Sequence, residues 1–394
     1  NKTMKLSENQ MEKVHLKVMC IDDDVFMLKA IARLIRRIRP EWEIILVSEP
    51  LDWLSEWNKH NCQPPAIIIS DLLMPHKCGD ELLKEVKQSY PQVVRALLTG
   101  NTQENLPQKA HAYSHFVLPK PFTQEDFERL FECTERLYQM PFNSECRTKL
   151  GSLKDLPVLP NSIHRLQQTI ASPTCDLQSI ADTISHEPVL VARVFQIANS
   201  SYLGFRRTTD SLSEAVGRLG ATLVESIAIS LLSHHANSLV SKKAHQDISE
   251  QALRVSYISR LLAKNLGYSL QDKDRVFVSS LLTAIGKLIL MEEGADIHNV
   301  DSFLELQQEY ADYYIVTAYM LMIWGYGSEI GEIVLNQSKS DFFSDDKSVV
   351  LGSIVGLANR IEACKENESY QTLIDGVPSS IASVLVELKP IFIE

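Results

Sequence analysis

Four short apolar runs in this sequence end in residues able to do chemistry. Asp22, Asp23 and Asp24 follow residues 17–21, and Asp71 follows residues 66–70. Thr99-Gly100 closes the run at 94–98, and Lys120-Pro121 closes the run at 116–118. Carboxylates brought together repel one another unless a hard cation joins them, and Mg²⁺ takes oxygen ligands while keeping several waters. Carboxylate, hydroxyl, ammonium and divalent cation in one crevice suit phosphoryl transfer to an aspartate.

A parallel sheet would bring these run ends together. The four runs and a fifth at 44–47 read as buried strands. Amphipathic helical segments separate them, among them residues 26–38, the Leu82, Leu83, Val86 face, and residues 124–138. Five strands alternating with helices predict a parallel α/β sheet with right-handed crossovers. In such a sheet, ligands sit at the carboxyl ends of the strands.

With these residues in this order, residues 16–140 resemble the receiver domain of bacterial response regulators, a flavodoxin-like (βα)5 fold. The matching pieces are Ile21-Asp22-Asp23, Asp71-Leu72-Leu73-Met74-Pro75 with Gly79, Leu98-Thr99-Gly100, and Lys120-Pro121-Phe122. The resemblance implies that Asp71 accepts a phosphoryl group from a sensor histidine kinase or phosphotransfer protein. It implies that Asp23 and Asp71 bind Mg²⁺ directly, with the Leu73 backbone carbonyl, while Asp22 helps through water. Thr99 and Lys120 would contact the phosphoryl oxygens, and Lys120-Pro121 would be a cis peptide bond. The aromatic usually found three residues before the lysine is replaced by Val117, with Phe116 beside it. Leu73, two residues after the acceptor, offers no polar group to orient an attacking water, which predicts a long-lived phosphoaspartate.

From about residue 150 the strand signal disappears. Leu177, Ile180, Ala181 and Ile184 fall on one helix face, and Asp247-Ile-Ser-Glu250 resembles a capping box opening a helix to residue 266. Further helices are predicted at 189–199, 222–234, 274–291, 313–324 and 349–364. Residues 279–290 resemble the HD phosphohydrolase signature, but Thr283 and Ala284 stand at the His-Asp positions before Ile285-Gly286-Lys287. Val255, Tyr313 and Asn336-Gln337-Ser338 stand where the other ligands are expected, and alkyl groups or lone hydroxyls cannot replace imidazole and carboxylate donors.

This half is similar instead to the HDOD domain, an HD-related output domain of bacterial signalling proteins. The residues that carry the similarity are Leu156-Pro157-Val158-Leu159-Pro160, His186-Glu187-Pro188-Val189-Leu190, Ile197-Ala198-Asn199-Ser200 and Ala215-Val216-Gly217-Arg218-Leu219-Gly220. The similarity implies an all-α helical bundle that binds a downstream signalling protein and does no catalysis. Pro188 suits a first helical turn, Asn199-Ser200 a bridge between helix ends, and Gly220 a helix C-cap.

The resulting organisation is an N-terminal extension (1–15), a receiver (16–140), a linker (141–151), an HDOD domain (152–345) and a C-terminal helical extension (346–394) packing back on it. The expected function is that of a response regulator in a phosphorelay. One alternative is a receiver-controlled, HD-type metal-dependent phosphohydrolase acting on a cyclic dinucleotide, and the missing ligands oppose it. Another is a regulator that binds DNA directly.

The 394 residues carry 39 Lys plus Arg against 50 Asp plus Glu, a net charge of −11 that opposes direct nucleic-acid binding. Lys29, Arg33, Arg36, Arg37 and Arg39 cluster on one predicted helix and read as a solvated face. The 7 cysteines form no CxxC pair, which suggests reduced thiols in the cytoplasm. Residues 1–16 have no apolar signal core, and the uncharged apolar stretch at 313–328 is shorter than the ~20 residues a membrane span needs. His76, His111, His115 and His234-His235 show no ligand pattern, so no transition metal is expected. A homodimer is compatible with the sequence.

Overall fold

The computed structural model describes residues 15–59, 64–100, 113–140, 144–153, 160–200, 205, 207–232, 238–295, 311–323, 328–364 and 366–392. Residues 1–14, 141–143 and 156–159, together with His111, His234, His235, Trp324 and Gly325, lie outside the described residues. The chain divides after Ser152 into two compact units.

The first unit runs β1 (Lys17–Ile21), α1 (Val25–Ile38), β2 (Glu43–Val47), α2 (Trp53–Lys59), β3 (Ile67–Asp71), α3 (Gly79–Ser89), β4 (Val94–Thr99), β5 (Phe116–Pro119), α4 (Gln124–Gln139) and α5 (Ser144–Gly151). Its strands form one sheet in the order β2-β1-β3-β4-β5, and every pairing is parallel. The chain moves from β1 out to β2 and then across to β3, so the strand order reverses at β1 and opens a crevice at the carboxyl ends of β1 and β3. All residues of β3 and β4 are buried, which is why these strands read as continuous apolar runs rather than alternating ones.

Helix α1 buries Leu28, Ile31, Ala32 and Ile35 at i, i+3, i+4, i+7 and leaves Lys29, Arg33, Arg36 and Arg37 exposed. Arg39, at its C-terminal end, instead makes a two-pronged contact with Glu135 on α4, at 2.6 and 2.8 Å. Thr123 and Asp126 close a capping box at the start of α4.

Residues 144–151, expected as linker, form helix α5, because Cys146 and Leu150 bury one face of it. Gly151 ends this helix against the 91–92 backbone, where an added Cβ would stand 2.3 Å from the Pro91 carbonyl oxygen. The glycine there serves close approach rather than a hinge.

The second unit is all-helical in its described residues. It comprises α6 (Pro160–Ala171), α7 (Leu177–Ser185), α8 (Pro188–Ala198), α9 (Leu212–Leu219), α10 (Ala221–Leu232), α11 (Lys242–Asn265), α12 (Leu270–Glu292), α13 (Asp312–Ile323), α14 (Ser328–Leu335), α15 (Lys347–Ala363), α16 (Asn367–Asp375) and α17 (Ser379–Phe392). Pro188 opens α8, whose residues other than Arg193 are all buried. The Asn199 side chain holds Thr209 through both backbone groups, at 2.8 and 3.0 Å, and Gly220 caps α9 with a positive φ of 77°.

Helix α11 starts earlier than Asp247. Ser241 is its N-cap, accepting from the Ala244 N–H, so Asp247-Ile-Ser-Glu250 lies inside the helix. One apolar core joins Val255 and Leu262 of α11 and Val276 of α12 to Leu351 and Ile354 of α15, Tyr370 of α16 and Leu385 of α17. No described helix is long and apolar enough to cross a membrane.

Candidate functional site

The acidic residues meet where the strand order reverses. Asp22 is the first residue past β1, and Asp71 is the last of β3. With Asp23 they form a group whose carboxylate oxygens lie within 4.8 Å of one another. Asp22 and Asp71 are buried and Asp23 is exposed, so the cluster opens to solvent on one side. Asp24 is not part of it: its carboxylate accepts from the Phe26 and Met27 N–H groups and caps α1.

Lys120, just past β5, spans the group, with its ammonium 2.9 Å from Asp22 Oδ2 and 2.9 Å from Asp71 Oδ1. Asp71 Oδ1 also accepts from the Leu72 N–H at 2.9 Å. Burial raises the Asp71 carboxyl above the usual carboxylate range, against the pull of the Lys120 ammonium. Burial acts to lower the Lys120 ammonium, but its contacts with Asp22 and Asp71 outweigh this and hold it above the usual lysine range.

Thr99 is buried at the end of β4, and its carbonyl accepts from the Lys120 N–H at 2.8 Å. The Lys120-Pro121 bond is cis. Gly79 opens α3 so close to the acceptor strand that an added Cβ would lie 2.0 Å from the Asp71 carbonyl oxygen. Leu73 follows on the same loop with its side chain 65% exposed. Val117 pairs with Leu97, and Phe116 with Ala96, so no register shift brings Phe116 to the position of Val117. Three carboxylates offering only oxygen donors at this spacing fit a hard divalent cation.

In the second unit, two of the positions expected for HD-type ligands, Thr283 and Gln337, belong to a closed polar chain that ends at Asn359. Thr283 on α12 accepts from Gln337 Nε2 at 2.8 Å, and Gln337 Oε1 accepts from Asn359 of α15 at 3.1 Å. Gly356 lets α15 approach closely, since an added Cβ there would lie 2.0 Å from the Gln337 carbonyl oxygen. Val255 is buried among apolar neighbours. Among the described residues, the acidic trio of the first unit is the only cluster suited to a metal.

Sequence reasoning passed over His245. Its Nε2 lies 2.9 Å from Glu187 Oε1, with both side chains buried, and Ser162 donates to the other Glu187 oxygen at 3.2 Å. The available signal was Glu187 itself, a carboxylate placed directly before the buried helix α8.

A doubly wound parallel sheet with this pocket at its switch point has the architecture of a receiver domain. The family model described as the response regulator receiver domain matches residues 18–132, and the HDOD domain model matches residues 156–312. The chain therefore carries a response regulator receiver domain followed by an HDOD domain.

Among solved structures, the MmoQ response regulator of Methylococcus capsulatus str. Bath is 18% identical, covering 59% of this chain and 98% of its own, with a TM-score of 0.45. A protein of Neptuniibacter caesariensis described as uncharacterized is 26% identical over 33% of this chain and 97% of its own, with a TM-score of 0.28. A curated relative from Treponema pallidum (strain Nichols), also described as uncharacterized, is 26% identical over 184 residues, which is 44% of this chain and 36% of that protein. The chain thus spans little more than a third of the length of that relative.

Proposed function

We propose that Asp71 is the phosphoacceptor of a phosphorelay and that its phosphorylation gates partner binding by a non-catalytic HDOD domain. The observation that carries this reading is the Lys120 ammonium bonded to both Asp22 and Asp71 at the open acidic cluster. Asp71 Oδ1 is held by Lys120 and the Leu72 N–H, which leaves the other carboxylate oxygen to attack phosphorus. In the transfer, a P–O bond forms to Asp71 as the P–N bond to the donor histidine breaks, and the imidazole nitrogen takes the electron pair. Thr99 and Lys120 hold the phosphoryl oxygens.

Asp22, Asp23, Asp71 and the Leu73 carbonyl would hold Mg²⁺, which when bound neutralises charge gathering on the phosphoryl oxygens. The donor is a sensor histidine kinase or phosphotransfer protein. The downstream partner is a signalling protein bound by the helical unit. The cyclic-dinucleotide hydrolase reading is opposed by the Thr283–Gln337–Asn359 chain, which supplies no imidazole or carboxylate.

Phosphorylation acts through contacts that differ between two states, here at the Thr99 end of β4, the Val117 strand and α4. The test is recovery of partners from native lysate with Mg²⁺, with and without beryllofluoride, using wild type and Asp71→Asn. A partner whose recovery changes only in wild type with the mimic is the expected result. An unchanged set in both proteins overturns the gating.

A further inference from the structure

Beside the closed Thr283–Gln337–Asn359 chain, one cation makes no ion pair with any described residue. Lys287 lies one turn after Thr283 on α12 and is partly buried. Its ammonium makes one long hydrogen bond, 3.4 Å to Gln251 Oε1, and stands 5.1 Å over the Tyr313 ring. No carboxylate of a described residue lies within ion-pair distance of it.

The Glu362 charge acts on Lys287, but its oxygens are turned to Gln251 Nε2 at 3.1 Å and the Arg254 guanidinium at 2.9 Å. Burial outweighs that distant attraction and pulls the Lys287 ammonium below its usual range. An ammonium has three N–H donors, and a charge withdrawn from water without a partner is costly.

The cluster is open to solvent. The Arg254 side chain is 58% exposed and stands one turn after Gln251 on α11. Lys287, Arg254 and Glu362 together carry one net positive charge, with the face of Tyr313 as an apolar wall. Residues of α11, α12, α13 and α15 all contribute, so anything seated there touches four helices of the bundle.

We propose that this cluster binds a small oxyanion, the phosphoryl or carboxylate group of a metabolite-sized ligand, with Lys287 as its charged anchor. Gln251 supplies a neutral donor, and Arg254 reaches the ligand from the rim. The site needs no metal and does not depend on phosphorylation at Asp71, so either idea can fail without the other.

The test uses the full chain with its lysines ¹³C-methylated. Lys287→Arg removes one resonance and so assigns it, and Lys120 is assigned in the same way. Sodium pyrophosphate and sodium citrate are titrated separately at constant ionic strength. The expected result is saturable movement of the Lys287 resonance with one or both anions, while exposed lysines such as Lys242 follow ionic strength alone. Response to pyrophosphate only assigns a phosphoryl ligand, and response to citrate only assigns a carboxylate.

Movement of Lys287 no greater than that of Lys242 with both anions overturns the proposal. A second arm measures anion-induced thermal stabilisation of unmethylated protein. Affinity should fall about tenfold or more in Lys287→Met and be largely kept in Lys287→Arg. Equal stabilisation of all three proteins also overturns the site. If Lys287→Met does not fold, Lys287→Arg and the resonance shifts decide.

Discussion

His245 and Glu187 meet at 2.9 Å although they are 58 residues apart in sequence, and neither side chain has meaningful contact with solvent. The pair ties the first turns of α11 to the residue that precedes α8. His245→Ala removes a hydrogen-bond partner from a buried carboxylate, which costs about 1–3 kcal/mol. Denaturant unfolding should show the transition of the helical unit shifted by that amount, with the receiver transition unmoved. A shift below about 1 kcal/mol, the value of an exposed pair, would show that the contact is structurally idle.

Lys287 gives a pH dependence of definite sign. Its ammonium is held below the usual range by burial, so the folded chain binds fewer protons there than the unfolded chain. Stability from this group therefore rises as pH climbs from the depressed folded value through the ordinary lysine range. Lys287→Met should be more stable than wild type at neutral pH, and the difference should shrink at alkaline pH. Thermal melts across that range check this, and a difference that widens with pH contradicts the burial argument.

Gly79 tests how the acceptor is held. A methyl group there would meet the Asp71 carbonyl oxygen at 2.0 Å, which is backbone and cannot swing aside. Gly79→Ala should cost about 1–3 kcal/mol and displace Asp71 from Lys120. Labelling by a small-molecule phosphodonor should fall sharply while the circular dichroism of the sheet remains. Full labelling would mean that α3 can shift without moving the acceptor.

Leu73 sets an expectation for the lifetime of the phosphorylated state. Its side chain points outward and has no group to orient water beside Asp71. The phosphoaspartate should therefore persist well beyond seconds in Mg²⁺, and Leu73→Asn should hasten its loss about tenfold or more. Decay of phosphorylated protein on phosphate-affinity gels measures both rates. Wild-type decay within seconds rejects the explanation.

The parts legible in the sequence were those where burial writes a simple pattern. Strands β3 and β4 are covered on both faces and read as unbroken apolar runs, so their ends located Asp71 and Thr99. Asp24 shows the limit of that reasoning. It has the same residue type and follows the same strand as Asp22 and Asp23, but the first turn of α1 takes its carboxylate as a cap. At the start of α11, Asp247 and Glu250 mimic a capping box inside the helix, while the real cap, Ser241, precedes a polar turn with no apolar period.

Residues 144–151 fall in the stretch between the two halves that reads as linker, yet they form helix α5, and Gly151 serves close packing on the 91–92 backbone. His245 was invisible for a different reason. A solitary histidine in a polar stretch gains meaning only from a carboxylate 58 residues away, and no local spacing records such a pairing.

The core that joins α11 and α12 to the final two helices also fixes the order in which the protein can be completed during synthesis. Val255 and Leu262 share that core with Tyr370, whose hydroxyl donates to the Leu385 carbonyl at 2.8 Å. These contacts span well over a hundred residues, so their loop closure waits for the far end of the chain. The sheet unit has all its strands once residue 119 has left the ribosome, whereas the helical unit keeps a bare apolar flank until residues near 388 emerge. A nascent chain therefore carries a finished receiver ahead of a bundle whose apolar flank is still open, and that flank is its exposed hydrophobic surface during the interval.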